Sequence, residues 1–177
     1  MLRPLSSLVS ALLAAGILAA CSSTPTDPTA GWSPNRLYSE AKDEMNGGAF
    51  DKAIDLYEKL EGRAAGTPLA QQAQLEKAYA QYKNGEKAQA IATLDRFMKL
   101  HPASPAFDYA LYLKGIINFN DDLGLFSWIS RQDLSERDQK AAKDSFEAFR
   151  ELVTRFPDSR YAPDARQRMV YIVNALA

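Results

Sequence analysis

Cys21 and His101 are the only cysteine and the only histidine among 177 residues. One of each is too few for a zinc site of Cys and His ligands, and a single thiol forms no intrachain disulfide. A Ser-His-Asp or Cys-His hydrolytic set would have to recruit His101. That residue stands in Leu100-His101-Pro102 at an expected helix end, where an imidazole caps carbonyls or faces solvent. Asp121-Asp122 is a carboxylate pair in a loop and reads as a helix-ending turn. The sequence has no Gly-rich phosphate loop and no metal motif. Catalysis, a bound metal and a diffusible cofactor are therefore not expected. The remaining chemistry is that of the Cys21 thiol.

Arg3 and Asp27 are the only charged side chains before Arg36, and residues 5–20, LSSLVSALLAAGILAA, are apolar or small. A basic start followed by an apolar stretch of this kind is a secretory signal. It is too short for a spanning helix, which needs about 20 apolar residues. The stretch ends in Leu18-Ala19-Ala20-Cys21, which resembles the lipobox of bacterial lipoproteins, cleaved before the cysteine. That resemblance implies a diacylglycerol thioether on the Cys21 sulfur and an acyl chain on the new amine. One acyl chain holds a protein to a membrane marginally, and two or more hold it stably. Ser22 at the following position implies, by the same resemblance, sorting to the outer membrane. Lipidated Cys21 and the polar stretch to Trp32, rich in Ser, Thr and Pro, form a tether. As a coil it reaches roughly 20 Å.

The remainder, 33–177, is expected to be all-α, because no segment shows a bounded period of two. A formal net charge of −1 gives no basic face for nucleic acid. Ser33-Pro34, Thr67-Pro68 and Ser104-Pro105 each place a capping hydroxyl before a proline suited to the first helical position. Ala162-Pro163-Asp164 marks another start, and Ser135-Glu136-Arg137-Asp138 a further one.

Landmarks recur 37 residues apart: Gly48 and Gly85, Ala53 and Ala90, Tyr57 and Leu94, Leu60 and Phe97, Pro68 and Pro105, Ala78 and Gly115. A small residue in helix A, a Gly turn, an Ala early in helix B and a Pro at the exit resemble the tetratricopeptide (TPR) pattern, whose own period is about 34. The small residues let the two helices of a unit cross closely. The expected architecture is a TPR-like α-solenoid of antiparallel helix pairs, with units at 33–66, 67–103 and 104–158 and a partial unit at 159–177. The third unit is split by an insertion, residues 120–135. In the partial unit, Met169, Val170, Ile172, Val173 and Leu176 are expected to pack back on the third unit as a cap. Asp164, Arg166, Gln167, Arg168 and Asn174 would form part of a polar outer face.

Helix A of each unit lines the concave face of such a solenoid. By register, Tyr38, Lys42 and Met45 look into it from the first unit, and Leu75, Tyr79 and Tyr82 from the second. Tyr109, Tyr112, Ile116 and Phe119 follow from the third. Tyrosines suit peptide recognition, combining a large rigid area with a hydrogen-bonding end. Each of these aromatics can equally pack between repeats. Leu123, Leu125, Phe126, Trp128 and Ile129 crowd the insertion, where apolar groups read either as a partner contact or as packing beneath helix B of the third unit.

The lipobox, the tether, the segment YALYLKGIINF (109–119), the insertion, and then SERDQKAAKDSFEAFRELVTRFPDSRYAPDARQRM (135–169) together resemble the BamD (ComL) family of TPR lipoproteins. The resemblance covers essentially all of 33–177. It implies a component of the outer-membrane β-barrel assembly machinery that binds unfolded outer-membrane protein precursors through the concave groove. It also implies contacts with the insertase BamA and other assembly lipoproteins. The family has further repeats beyond the point where this sequence stops, and its insertase contact is assigned largely to those last repeats. The expectation is therefore a member without them. The alternative is another TPR scaffold lipoprotein of the envelope, coordinating peptidoglycan synthesis or the Tol-Pal system.

Overall fold

The computed structural model describes residues 27–119 and 136–176, with side chains from 139 onward in the second stretch. The signal segment, Cys21 and the insertion lie outside them. By contact, the chain divides at Trp32 and Ser33. In the first part, the Asp27 carboxylate accepts from the Thr29 N–H at 3.0 Å and its hydroxyl at 2.9 Å, while the Ala30 N–H donates to the Asp27 carbonyl. The end of the expected tether is thus an Asx turn.

The second part consists, among the described residues, of helices without a strand. They are α1 (Pro34–Asn46), α2 (Phe50–Arg63), α3 (Pro68–Lys83), α4 (Lys87–Leu100), α5 (Phe107–Asn118), α6 (Glu136–Arg155) and α7 (Ala162–Leu176). Each packs on its neighbours in sequence, giving the pairs α1/α2, α3/α4 and α5/α6 with α7 against α6. Two of the expected caps form. The Ser33 hydroxyl accepts from the Arg36 N–H at 3.2 Å, and the Thr67 hydroxyl from the Ala70 N–H at 3.3 Å, each before a proline that opens the helix. Ser104 does not cap. Helix α5 begins at Phe107, because Ser104 and Pro105 form a turn whose Ser104 carbonyl accepts from the Phe107 N–H. The Ser104 hydroxyl is drawn across to Gln71 Oε1 of α3, at 3.1 Å.

Gly48 and Gly85 occupy equivalent turns between helix A and helix B, with φ of +78° and +83°, a region open to glycine and strained for other residues. Beyond them the core repeats. Ala53, Tyr57 and Leu60 of α2 and Ala90, Leu94 and Phe97 of α4 are completely buried, and so are Ser145, Phe149 and Leu152 of α6. The third set follows the second by 55 residues rather than 37, since the insertion lies between them. Opposite these sets lie Ala41, Ala78 and Gly115, all buried and 37 apart. At Gly115 the crossing is closest: a Cβ there would lie 2.4 Å from Phe149 Cε1. The Ser145 hydroxyl donates to the Gly115 carbonyl at 2.8 Å, tying α6 to α5 at the same point.

The two junctions between units differ. At the first, buried Lys77 on α3 meets Glu61 of α2 at 2.9 Å, and Arg96 of α4 meets the same carboxylate at 2.6 Å. At the second, Lys114 of α5 pairs with Asp95 of α4 at 2.6 Å, in the same register. The counterpart of Glu61 there is Met98, and the charges of α6 pair within their own helix, as in Lys140–Asp144 and Arg155–Glu151. The connection is also longer, 101–106 against 64–67. The second junction is splayed as a result, with a cleft of about 1030 Å³ on one side and one of about 970 Å³ on the other.

Helix α7 corrects the expected cap. Ala162, Ala165 and Ile172 are buried against α5 and α6, and Met169 is half-buried. Val170, Val173 and Leu176 instead stand 63%, 52% and 37% exposed. The inward stripe Ala165, Met169, Ile172 already has helical spacing, so Val170 and Val173, one position further along, turn away, while Leu176 continues the stripe at the last residue of the helix. Asp164 and Arg168, assigned to the outer face, turn inward to α5. Arg166, Gln167 and Asn174 remain exposed.

Candidate peptide-binding site

The positions assigned to the concave face fall into three groups. On α1, the Tyr38 hydroxyl accepts from Gln72 Nε2 at 2.6 Å, and Lys42 Nζ meets Glu76 Oε1 at 3.4 Å. Both ties run to α3, so Tyr38 and Lys42 join the first two units. Met45 is half-buried. On α3, Leu75 is core rather than wall, only 5% exposed. Tyr79 and Tyr82 are half-buried against the cluster formed by α3, α4 and α5.

On α5 the helix divides. Its C-terminal half is covered by α7. The Tyr112 ring stacks on Tyr161 with centroids 4.7 Å apart, and its hydroxyl donates to Asp164 Oδ2 at 2.8 Å. The same oxygen accepts from Arg168 Nε at 2.6 Å, and the Arg168 guanidinium lies 4.9 Å over the Phe119 ring. Phe119 also lies 5.6 Å from Tyr171, and Ile116 packs on the same core. Tyr112, Ile116 and Phe119 therefore pack between repeats instead of lining an open groove. Tyr112→Phe should keep the stack and lose only the bond to Asp164. The expected cost, read from urea unfolding, is about 1 kcal/mol, at the low end for a bond to a charged group because the site is partly solvated.

The N-terminal half of α5 stays open. Tyr109, 5.6 Å from Tyr161 by ring centroid, lines the larger cleft with Gln72, Leu75 and Glu76 of α3. Arg160 and Tyr161 close the far side, and the 101–106 connection forms one edge. His101 is at the α4 C-cap, its N–H donating to the Phe97 carbonyl and its ring 5.2 Å from the Phe97 ring. Burial first, then the nearby Glu76 carboxylate, raises the Tyr109 phenol well above its ordinary value, so it keeps its proton throughout the physiological range. Burial does the same for Tyr57 beneath Tyr38.

Among the described residues, no cluster of His, Cys, Asp and Glu could hold a metal. The cleft offers aromatic faces, amides, carboxylates and one guanidinium, which together suit a peptide. The sequence reading missed Gln72, Glu76, Arg160 and Tyr161. The first two lie on the helix-A stripe beside Leu75. The last two lie in a turn that register alone does not aim. Cys21 and the insertion residues Leu125, Phe126, Trp128 and Ile129 lie outside the described residues, and no described helix is long and apolar enough to cross a membrane.

Residues 31–177 match the family model YfiO, described as outer membrane lipoprotein. The chain is 50% identical over 148 residues to a Neisseria meningitidis protein named outer membrane protein assembly factor BamD, covering 84% of this chain and 55% of that one. It is 36% identical over 169 residues to the Vibrio cholerae protein of the same name, covering 96% of this chain and 70% of the relative. The chain thus spans about half the length of the Neisseria relative. The match over nearly all of the helical part, on helix pairs with the landmarks described above, places this chain in the YfiO/BamD family of outer membrane lipoproteins.

Proposed function

We propose that this chain is anchored through lipidated Cys21 to the periplasmic face of the outer membrane and works in the assembly of outer-membrane β-barrel proteins. In this reading the concave cleft holds unfolded precursors, while other surfaces meet BamA and the accompanying assembly lipoproteins. The observation that carries it is the 50% identity with the Neisseria assembly factor. The cleft adds support, because its tyrosines and amides offer both faces and hydrogen bonds to an extended chain.

The test is affinity purification of the acylated chain from detergent-solubilised outer membranes, followed by mass spectrometry. Recovery of the β-barrel insertase is the expected result. Recovery of peptidoglycan-synthesis or Tol-Pal components in its place would overturn the assembly role and make the chain a different envelope scaffold.

A further inference from the structure

Among the tyrosines in or beside the larger cleft, three have hydroxyls already in hydrogen bonds, two as acceptors and one as donor. Tyr38 accepts from Gln72, Tyr112 donates to Asp164, and Tyr161 accepts from Arg160. The Tyr109 hydroxyl makes no hydrogen bond among the described residues. The carboxylates near it have partners of their own. Asp108 accepts from the Tyr109 N–H at 2.7 Å through one oxygen and from the Ser159 hydroxyl at 2.6 Å through the other. Glu76 faces Lys42. A protonated phenol therefore lines the cleft with no protein atom receiving its hydrogen bond.

The surroundings limit what could receive it. Lys42 offsets the Glu76 charge and Arg160 that of Asp108, so the cleft has no excess positive charge to draw a carboxylate or phosphate. A cation has no lone pair to offer a donor. A neutral carbonyl meets neither objection, and an extended peptide presents one at every residue.

We propose that Tyr109 is the main-chain anchor of this cleft: its hydroxyl donates to a main-chain carbonyl of an extended peptide, while its ring, set against Tyr161, supports a neighbouring aromatic side chain. This rests on the peptide-binding reading above and adds the atom that holds the peptide's main chain. It also separates Tyr109 from Tyr38, Tyr112 and Tyr161, whose hydroxyls already take part in hydrogen bonds.

The experiment uses the acylated chain in detergent micelles and a short fluorescein-labelled peptide of alternating aromatic and polar residues, read by fluorescence anisotropy. Tyr109→Phe removes the hydroxyl and keeps the ring. It is expected to weaken binding about fivefold, the range of one net hydrogen bond, with the melting temperature unchanged. Tyr171→Phe, at a tyrosine on α7 outside the cleft, is expected to bind like the wild type. Replacing peptide amides one at a time by esters weakens each adjoining carbonyl in turn. One such position is expected to lose its effect in Tyr109→Phe, a coupling that a purely structural role would not produce. Wild-type binding with no loss in Tyr109→Phe would overturn the assignment of Tyr109 and leave peptide binding standing. No binding by the wild type would overturn the peptide reading itself, and this assignment with it.

Discussion

Gly115→Ala is expected to destabilise the helical domain by about 2 kcal/mol, the net of a gain in helix propensity and a larger cost of overpacking. In an exposed helix the same change would be favourable by up to about 1 kcal/mol, because glycine loses more backbone entropy than alanine. The sign reverses here because three Phe149 ring atoms lie within 2.7 Å of where the new Cβ would sit. Phe149 is completely buried, and Tyr112 flanks it with ring centroids 6.1 Å apart, so the ring has little room to move. The second unit shows the compatible pairing: it has Ala78 on helix A and Leu94 at the position of Phe149. Gly115→Ala combined with Phe149→Leu should therefore recover part of the loss, giving a favourable interaction energy in a urea-unfolding double-mutant cycle. A Gly115→Ala variant as stable as the wild type would show that α5 and α6 do not cross this closely.

The same pair shows what the sequence could reveal about the fold. The recurrence at 37 residues located the small residues of helix A and the core residues of the first two helices B, because local spacing on a helix maps directly to a face. It could not locate Ser145, Phe149 and Leu152 as the third set, because the insertion changes the interval without changing the packing. Ser104 illustrates a related difficulty. Ser-Pro is a helix-start signal in local terms, but the hydroxyl finds Gln71 on another helix, and the start moves to Phe107. A pairing between distant elements overrides a capping preference of about 1 kcal/mol.

The site was legible by stripe but not by partner. Helical register placed the tyrosines on one face. Whether each hydroxyl is open or committed depends on residues remote in the chain: Gln72 for Tyr38, and Asp164 for Tyr112. Tyr79 and Tyr112 look like equivalent groove positions by residue type. In the fold Tyr112 holds α7 to α5, so truncating it reports on stability as well as binding, whereas Tyr109→Phe leaves such ties intact. Arg160 and Tyr161 escaped for a different reason. They belong to the turn between α6 and α7, and a turn has no periodicity from which to infer an orientation.

Cys21→Ala, in a chain whose residues 1–20 are exchanged for an ordinary cleavable secretory signal, is expected to move the protein from the membrane pellet to the soluble periplasmic fraction, a larger change than any other substitution considered should produce. The thiol carries the diacylglycerol in the lipoprotein reading, and once the exchanged signal is cleaved no apolar leader remains to hold the variant. Each buried methylene of an acyl chain contributes about 0.8 kcal/mol, so losing the chains removes nearly all intrinsic membrane affinity. The helical part offers little replacement. No described helix can span a bilayer, and a formal charge of −1 gives no attraction to anionic lipid. Fractionation before and after a high-salt wash checks the prediction. A variant that stays in the pellet at low salt and leaves at high salt would be held by protein partners, making the lipid dispensable for location. A variant that resists both washes would carry a membrane attachment other than Cys21, and the lipoprotein reading of residues 1–21 would fall.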